Sequence, residues 1–391
     1  MPNPIPLKLT ILLACIFALS PLAIDTYLPA VTLIADDLNT QAELVSMTVS
    51  LYVMGLAFGQ LIGGPLSDKY GRRRLMLIGL LIFSFASCLL ITAQNVELLW
   101  LYRLIQALGG GISAVCVPAI IRDHVSGAQA AKLLSFIALL MMLAPAIAPS
   151  IGAGILKFTD WHGIFIFLAF FSAMTALATK LILKKPRKDN AKSLQKMSFK
   201  QILSHPQAYK YVLAQAFGYS VLMIFLANSP LIYMEYFKLT SSQFSMVFSV
   251  NVVVIIFNNR LNSFLLNKFE PDTLLKVFFA MQITGALILL TGATLFPHQV
   301  AFSIIGFALS VGAISGIGPN AQACFLNYFP NNSGAASATF GFIQYASGAI
   351  ISAVVSYFYN QTLWPVSITI AFCAGFSMFA IHYLGKTQLV K

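Results

Sequence analysis

Two ionisable side chains stand inside stretches otherwise too apolar to hold them. Asp25 lies in the run from Leu9 to Val31, and Arg103 lies in Leu99-Trp100-Leu101-Tyr102-Arg103-Leu104-Ile105-Gln106. Each is about five or six residues from the outer end of its run, so at roughly 1.5 Å per residue their depths match and one cavity could serve both. Such a pair has two possible uses. A proton can move on and off the carboxylate as substrate or conformation changes its surroundings, or the two charges can form a permanent structural ion pair. The neighbouring residues Tyr27, Tyr52 and Gln106, and Asn228, Asn251 and Gln344 in the second half, are expected to line a substrate path. Their plainer role is helix-to-helix hydrogen bonding and core packing.

A second cluster is Gly64-Pro65-Leu66-Ser67-Asp68-Lys69-Tyr70-Gly71-Arg72-Arg73-Arg74, a charged knot wedged between two apolar runs. A carboxylate at a helix end pairs with nearby cations and clamps neighbouring helices, while glycine lets the backbone turn tightly. Gly64, Asp68, Gly71, Arg72 and Arg73 are therefore expected to form a latch. In Leu143-Ala144-Pro145-Ala146-Ile147-Ala148-Pro149-Ser150-Ile151-Gly152-Ala153, Pro145 and Pro149 remove two helix hydrogen bonds and place a flexing point there.

The elements that must position these groups are membrane spans. The chain has 391 residues of which 58% are hydrophobic, and its mean hydropathy is +0.82, which excludes a soluble domain with a polar surface. A span needs roughly 20 apolar residues, and twelve such runs can be read, the first Leu9 to Val31, the fifth Lys132 to Leu156, the last Pro365 to Leu384. The one long polar stretch, Lys184 to Lys210, divides them six and six. The expected organisation is an N-terminal bundle over 1–183, a linker over 184–210 and a C-terminal bundle over 211–391.

The net charge of +12 would suggest nucleic acid in a soluble protein. Here nearly all Lys and Arg fall in alternate loops, so the excess is a topology signal that places both termini and the linker in the cytoplasm. The first apolar run is too long for a secretory signal. The five cysteines are scattered singly without CxxC or an adjacent His, so neither a disulfide frame nor a metal site is expected, and no cofactor. Ser126-Gly127-Ala128 and Ser333-Gly334-Ala335 open the fifth and eleventh runs, a weak echo consistent with a parallel duplication. Gly55, Gly59, Gly63 and Gly64 recur on the second run and suit close helix packing.

The pattern Gly64-x-Leu66-x-Asp68-x-x-Gly71-Arg72-Arg73 resembles motif A of the major facilitator superfamily, in the loop where that motif belongs. The segment around Arg103 resembles motif B, with Ala107 in place of the usual glycine. The segment around Pro145 and Pro149 resembles motif C of antiporters, with Ala144 and Ala153 replacing glycines. Its Ala-Pro-x-x-Ala-Pro form, Asp25-Thr26-Tyr27-Leu28-Pro29-Ala30 and Ser229-Pro230 look like the Bcr/CflA branch of drug exporters. The specific motifs lie nearly all in the first half, and Asn259-Arg260-Leu261-Asn262 supplies no second Asp-x-x-Gly-Arg-Arg.

The resemblance implies an all-α major facilitator fold with twelve transmembrane helices in two pseudo-symmetric six-helix bundles. The implied activity is proton-driven antiport of small amphipathic compounds by a monomer in the bacterial inner membrane. Asp25 would respond to protons, with Arg103 as its electrostatic partner. The alternative is a dedicated exporter of one endogenous metabolite such as a siderophore. An enzyme is not expected, because the spans carry no His pair, HExxH or Ser/His constellation.

Overall fold

In a hydrocarbon core every backbone polar group must be satisfied within the chain, so apolar runs of this length fold as helices. The computed structural model describes residues 7–124, 137, 144–183, 202, 205–329 and 333–384. Among them, 11 helices are long and apolar enough to cross a membrane, and Ala144–Ile155 is a shorter apolar helix. The expected fifth span begins at Lys132, outside the described residues. So do Ser126-Gly127-Ala128 and most of the linker.

The chain divides into two compact units, Met1–Lys192 and Ser193–Lys391. The first contains α1 (Leu7–Asp25), α2 (Val31–Asp37), α3 (Ala42–Tyr70), α4 (Arg72–Leu90), α5 (Val96–His124), α6 (Ala144–Ile155) and α7 (His162–Ile182). Helix α5 is its centre, with α3 and α4 packed along it and α1 against both α5 and α7. Gly55, Gly59 and Gly63 bring α3 onto the α5 backbone; a Cβ at Gly55 would lie 2.8 Å from the Leu104 carbonyl oxygen. Gly64 is not part of that seam, since a Cβ there would meet nothing within 4 Å.

The expected first span, Leu9 to Val31, is both longer and broken. The helix ends at Asp25, a 3-10 turn covers Leu28–Ala30, and α2 carries the span on to Asp37. Pro29 explains the break. It has no N–H to give the Asp25 carbonyl, and its ring would clash with that carbonyl in a continuing helix. Asp25 therefore lies well short of the span's end, at a helix terminus deep in the segment.

The second unit contains α8 (Pro206–Pro230), a π-helical turn (Leu231–Tyr236), α9 (Ser241–Leu265), α10 (Pro271–Leu295), α11 (Val300–Gly312), α12 (Ile314–Leu326), α13 (Ser333–Tyr357) and α14 (Trp364–Tyr383). Helix α8 packs along α13 and α14, and α10 along α11. Its core is aromatic. Phe307 packs tilted against Phe225 and Tyr233 at centroid distances of 5.0 and 6.1 Å.

One packing device occurs in both units. In the first, Cβ atoms built on Gly79 and Gly109 would lie 2.7 and 2.6 Å from each other's carbonyl oxygen, with Ser113 alongside. In the second, Gly285 and Gly306 approach in the same way, at 2.6 and 3.0 Å, with Ser310 alongside. Only residues without a Cβ allow two backbones this close.

Candidate functional site

Arg103 is fully buried in α5, where its stem emerges beside the break in the first span. Because that helix stops at Asp25, the Tyr27 N–H does not reach back to the Ala23 carbonyl. The arginine supplies the missing donor, Nη1 lying 3.1 Å from the Ala23 oxygen. The same nitrogen donates to Gln106 Oε1 at 2.8 Å. Gln106 Nε2 in turn donates to Ser87 Oγ at 2.8 Å, and Ser87 to the Phe83 carbonyl at 2.8 Å. One relay thus ties α1, α5 and α4 together.

Two tyrosine rings cover the guanidinium. Its carbon lies 4.5 Å from the Tyr27 centroid and 4.6 Å from the Tyr52 centroid, with Phe165 at 6.0 Å. A desolvated cation over an aromatic face gains about 2 kcal/mol. Tyr27 is itself fixed, its hydroxyl 2.5 Å from Thr48 Oγ1. Thr48 directs its own proton to the Val45 carbonyl at 2.7 Å, which leaves Tyr27 as the donor to Thr48.

Asp25 is 3% exposed, and its Oδ1 has no hydrogen-bond partner. Asp25 and Arg103 are the only buried charged side chains among the described residues. They form no ion pair with one another. The expectation that Arg103 partners the carboxylate is corrected in this respect: the arginine binds the backbone two residues earlier, at a carbonyl of the last helical turn that the end of α1 leaves in need of a donor. Helix α6 closes on the same break, with Gly152 so near the Thr26 carbonyl that a Cβ would overlap it. Pro145 and Pro149 both lie within α6, upstream of that contact.

The second cluster lies between α3 and α4. Gly71 makes the turn at φ 90°, ψ 132°, a left-handed backbone that disfavours any side chain, and its N–H donates to the Ser67 carbonyl at 3.0 Å. Arg72 donates to the Ala119 carbonyl of α5, and Arg73 Nη2 to the Lys180 carbonyl of α7 at 2.8 Å. These cations bind helix ends of their own unit. The side chain of Asp68 lies outside the described part of the structure.

Of the six residues expected to line a substrate path, Tyr27, Tyr52 and Gln106 are fully buried around Arg103. Asn228 and Gln344 tie α8 to α13: Asn228 Oδ1 accepts from Ser356 at 3.2 Å, and Gln344 Oε1 from Gln215 at 3.0 Å. For these two the plainer role is the observed one. Asn251 donates to Val247 within α9 at 3.2 Å and has an unpartnered Oδ1.

Sequence reasoning passed over Thr48 and Ser87, which orient the arginine's shell and carry no local signature in apolar helices. It also passed over Asp272, which accepts from Tyr211 at 3.0 Å and pairs with Lys276 at 2.7 Å. That cluster had a signal, an acid in the first turn after Pro271 with a lysine four residues on.

The Major Facilitator Superfamily family model matches residues 13–353. A bicyclomycin resistance protein homolog of Haemophilus influenzae is 30% identical over 378 residues, covering 95% of this chain and 94% of that protein. A chloramphenicol resistance protein of Pseudomonas aeruginosa is 26% identical over 372 residues, covering 93% and 87%. Among solved structures, the nucleoside transporter NupG superposes with a TM-score of 0.76 at 14% identity, covering 97% of this chain and 100% of that one. The D-xylose-proton symporter gives 0.72 at 16%, covering 94% and 95%.

Proposed function

Because the chain belongs to the major facilitator superfamily, we propose that it exports small amphipathic, drug-like compounds across the bacterial inner membrane by alternating access, in exchange for protons. Relatives named for bicyclomycin and chloramphenicol resistance support the substrate class. In this reading the polypeptide is a monomer of twelve spans in two six-helix bundles, 1–183 and 211–391, joined by the linker 184–210. The alternation of basic loops supports cytoplasmic termini.

The observation that carries the coupling is Asp25, a buried carboxylate with an unpartnered oxygen at a helix end. A proton entering from outside binds the carboxylate, crosses with the empty carrier and leaves inside; outward substrate movement accompanies the deprotonated form. Arg103 acts beside it by holding the Ala23 carbonyl, so the acid's backbone stays fixed while its charge changes. Gly71, Arg72 and Arg73 fasten the inner ends of α4, α5 and α7, with Asp68 and Gly64 completing the latch. Pro145 and Pro149 let α6 move against the break.

The test is proton flux in proteoliposomes, read with a pH-sensitive dye as cationic, neutral and anionic drugs are added. Wild type should release protons on substrate addition. Asp25→Asn should insert normally and give no substrate-triggered flux. Flux that persists in that variant with an unchanged pH response sinks the assignment.

A further inference from the structure

A tryptophan at the end of a membrane span usually keeps its ring at the surface, at headgroup level. Trp364, in the first turn of α14, is of that kind and is 43% exposed. Trp161, directly before α7, is 3% exposed and turned inward. Its indole Nε1 donates to Asp37 Oδ2 at 3.0 Å. Asp37 is an exposed acid at the last position of α2, where the helix dipole disfavours a negative charge, and the indole N–H is the donor that offsets this.

The seat of the indole is built from both sides. Asp160 Oδ1 accepts from the His162 backbone N–H at 3.0 Å and lies 3.1 Å from His162 Nδ1, and the imidazole stacks on the indole with centroids 3.7 Å apart. On the buried side the indole stands edge-on to Phe165 at 5.9 Å. Phe165 is fully buried, 6.4 Å from the Tyr27 ring and 6.0 Å from the Arg103 guanidinium carbon. Trp161 therefore joins the end of the half-span that follows the break to the aromatic shell around Arg103. The half-span needs such a tie. Helix α2 packs along α3, but with seven residues it is far too short to hold itself. Only Thr26, Tyr27 and the 3-10 turn separate it from Asp25, so any withdrawal of α2 pulls on the turn that carries the carboxylate.

We infer that Trp161 is a positioning residue for proton coupling. Its bond to Asp37 holds α2, and its ring backs Phe165 against Tyr27, so the Asp25 turn keeps one geometry while the carboxylate gains and loses its proton. The inference rests on the export reading above, and Trp161 acts through its neighbours rather than on the proton itself.

The experiment uses the full chain in nanodiscs and needs no substrate. Hydrogen exchange read by mass spectrometry reports on residues 31–40. Infrared difference spectra, each protein minus its Asp25→Asn counterpart, follow the Asp25 carboxyl band as pH is raised. Trp161→Phe keeps a ring and removes the N–H, Asp37→Leu removes the acceptor, and Asp37→Asn keeps an acceptor oxygen. The first two should speed exchange in residues 31–40 about fivefold, the loss of a hydrogen bond worth ~1 kcal/mol, and the double variant should go no further. The same variants should move the midpoint of the Asp25 band by about 0.5 pH unit or more, while Asp37→Asn leaves both readings at the wild-type value. Unchanged exchange in both variants overturns the inference. So does faster exchange with an unmoved midpoint, which is what a merely structural tie would give. A wild-type band that never titrates overturns the coupling reading itself and leaves Trp161 no acid to position. Because Asp37 is exposed, Asp37→Leu decides the matter even where Trp161→Phe fails to fold.

Discussion

The two units repeat one packing device and differ in the polar groups built beside it. Gly79, Gly109 and Ser113 in the first unit correspond to Gly285, Gly306 and Ser310 in the second. Counted from these residues, the place of Arg103 is taken by Val300, and the place of Gln106 by Ser303. The place of buried Gln282 in α10 is taken in α4 by buried Met76. Gln282 donates to the Gly218 carbonyl at 3.1 Å and to the Ser310 carbonyl at 3.3 Å, tying three helices with a neutral amide where the first unit uses a cation. Close backbone approach is what the bundle requires of both halves. The charge is an addition to one of them, next to the only buried acid described.

The difference can be broken from either side. Arg103→Met keeps most of the volume but strips the Ala23 carbonyl and Gln106 of their donor and removes the cation from two rings. The expected loss is about 2–4 kcal/mol, read as a fall in melting temperature in detergent and in transport. Val300→Met at the corresponding place should cost under ~1.5 kcal/mol, since it exchanges apolar groups. If both substitutions cost the same, the charged relay has no special structural role. Gly79→Ala and Gly285→Ala should each destabilise by about 1–3 kcal/mol, because both meet backbone that cannot yield. A large effect in one unit and none in the other would show that the repeat is only superficial.

Smaller effects sharpen the boundary of the site. Tyr27→Phe leaves the ring over Arg103 and removes the hydroxyl's bonds to Thr48 and to the guanidinium, so about 1–3 kcal/mol of stability should go while substrate-triggered proton flux continues. Gly64→Ala, which meets open space, should lie within ~0.5 kcal/mol of wild type in stability. Its effect on turnover then reports on the latch without a packing contribution.

Much of this arrangement can be read from residue types. Charged residues in apolar runs mark themselves, so Asp25 and Arg103 stand out, and the latch arginines and Gly71 are equally conspicuous. What escapes is the arginine's acceptor, because a main-chain carbonyl has no letter in a sequence. The clue was indirect: Pro29 follows Asp25 by four positions, and a proline there ends the helix and frees carbonyls before it. The glycine repeat escapes for another reason. Leu-Ile-Gly79-Leu-Leu and Ile-Thr-Gly285-Ala-Leu share nothing but the glycine, since only the missing Cβ is specified by the contact. Asn228 and Gln344 show the converse, polar residues whose presence invites a functional reading and whose hydrogen bonds satisfy a structural one.

The break after Asp25 also bears on biogenesis. The first span emerges from the ribosome with a carboxylate and an uncapped helix end in its middle, and an acid at that depth raises the cost of insertion by about 2.5–3.5 kcal/mol. The group that completes it, Arg103, is synthesised about 80 residues later, several seconds at roughly 5–20 residues per second. Until then the segment relies on the apolar residues on either side of the break. A nascent chain halted before α5 therefore holds its first span by greasiness alone, and quality-control proteases that sample incomplete membrane proteins would meet it in its least protected form.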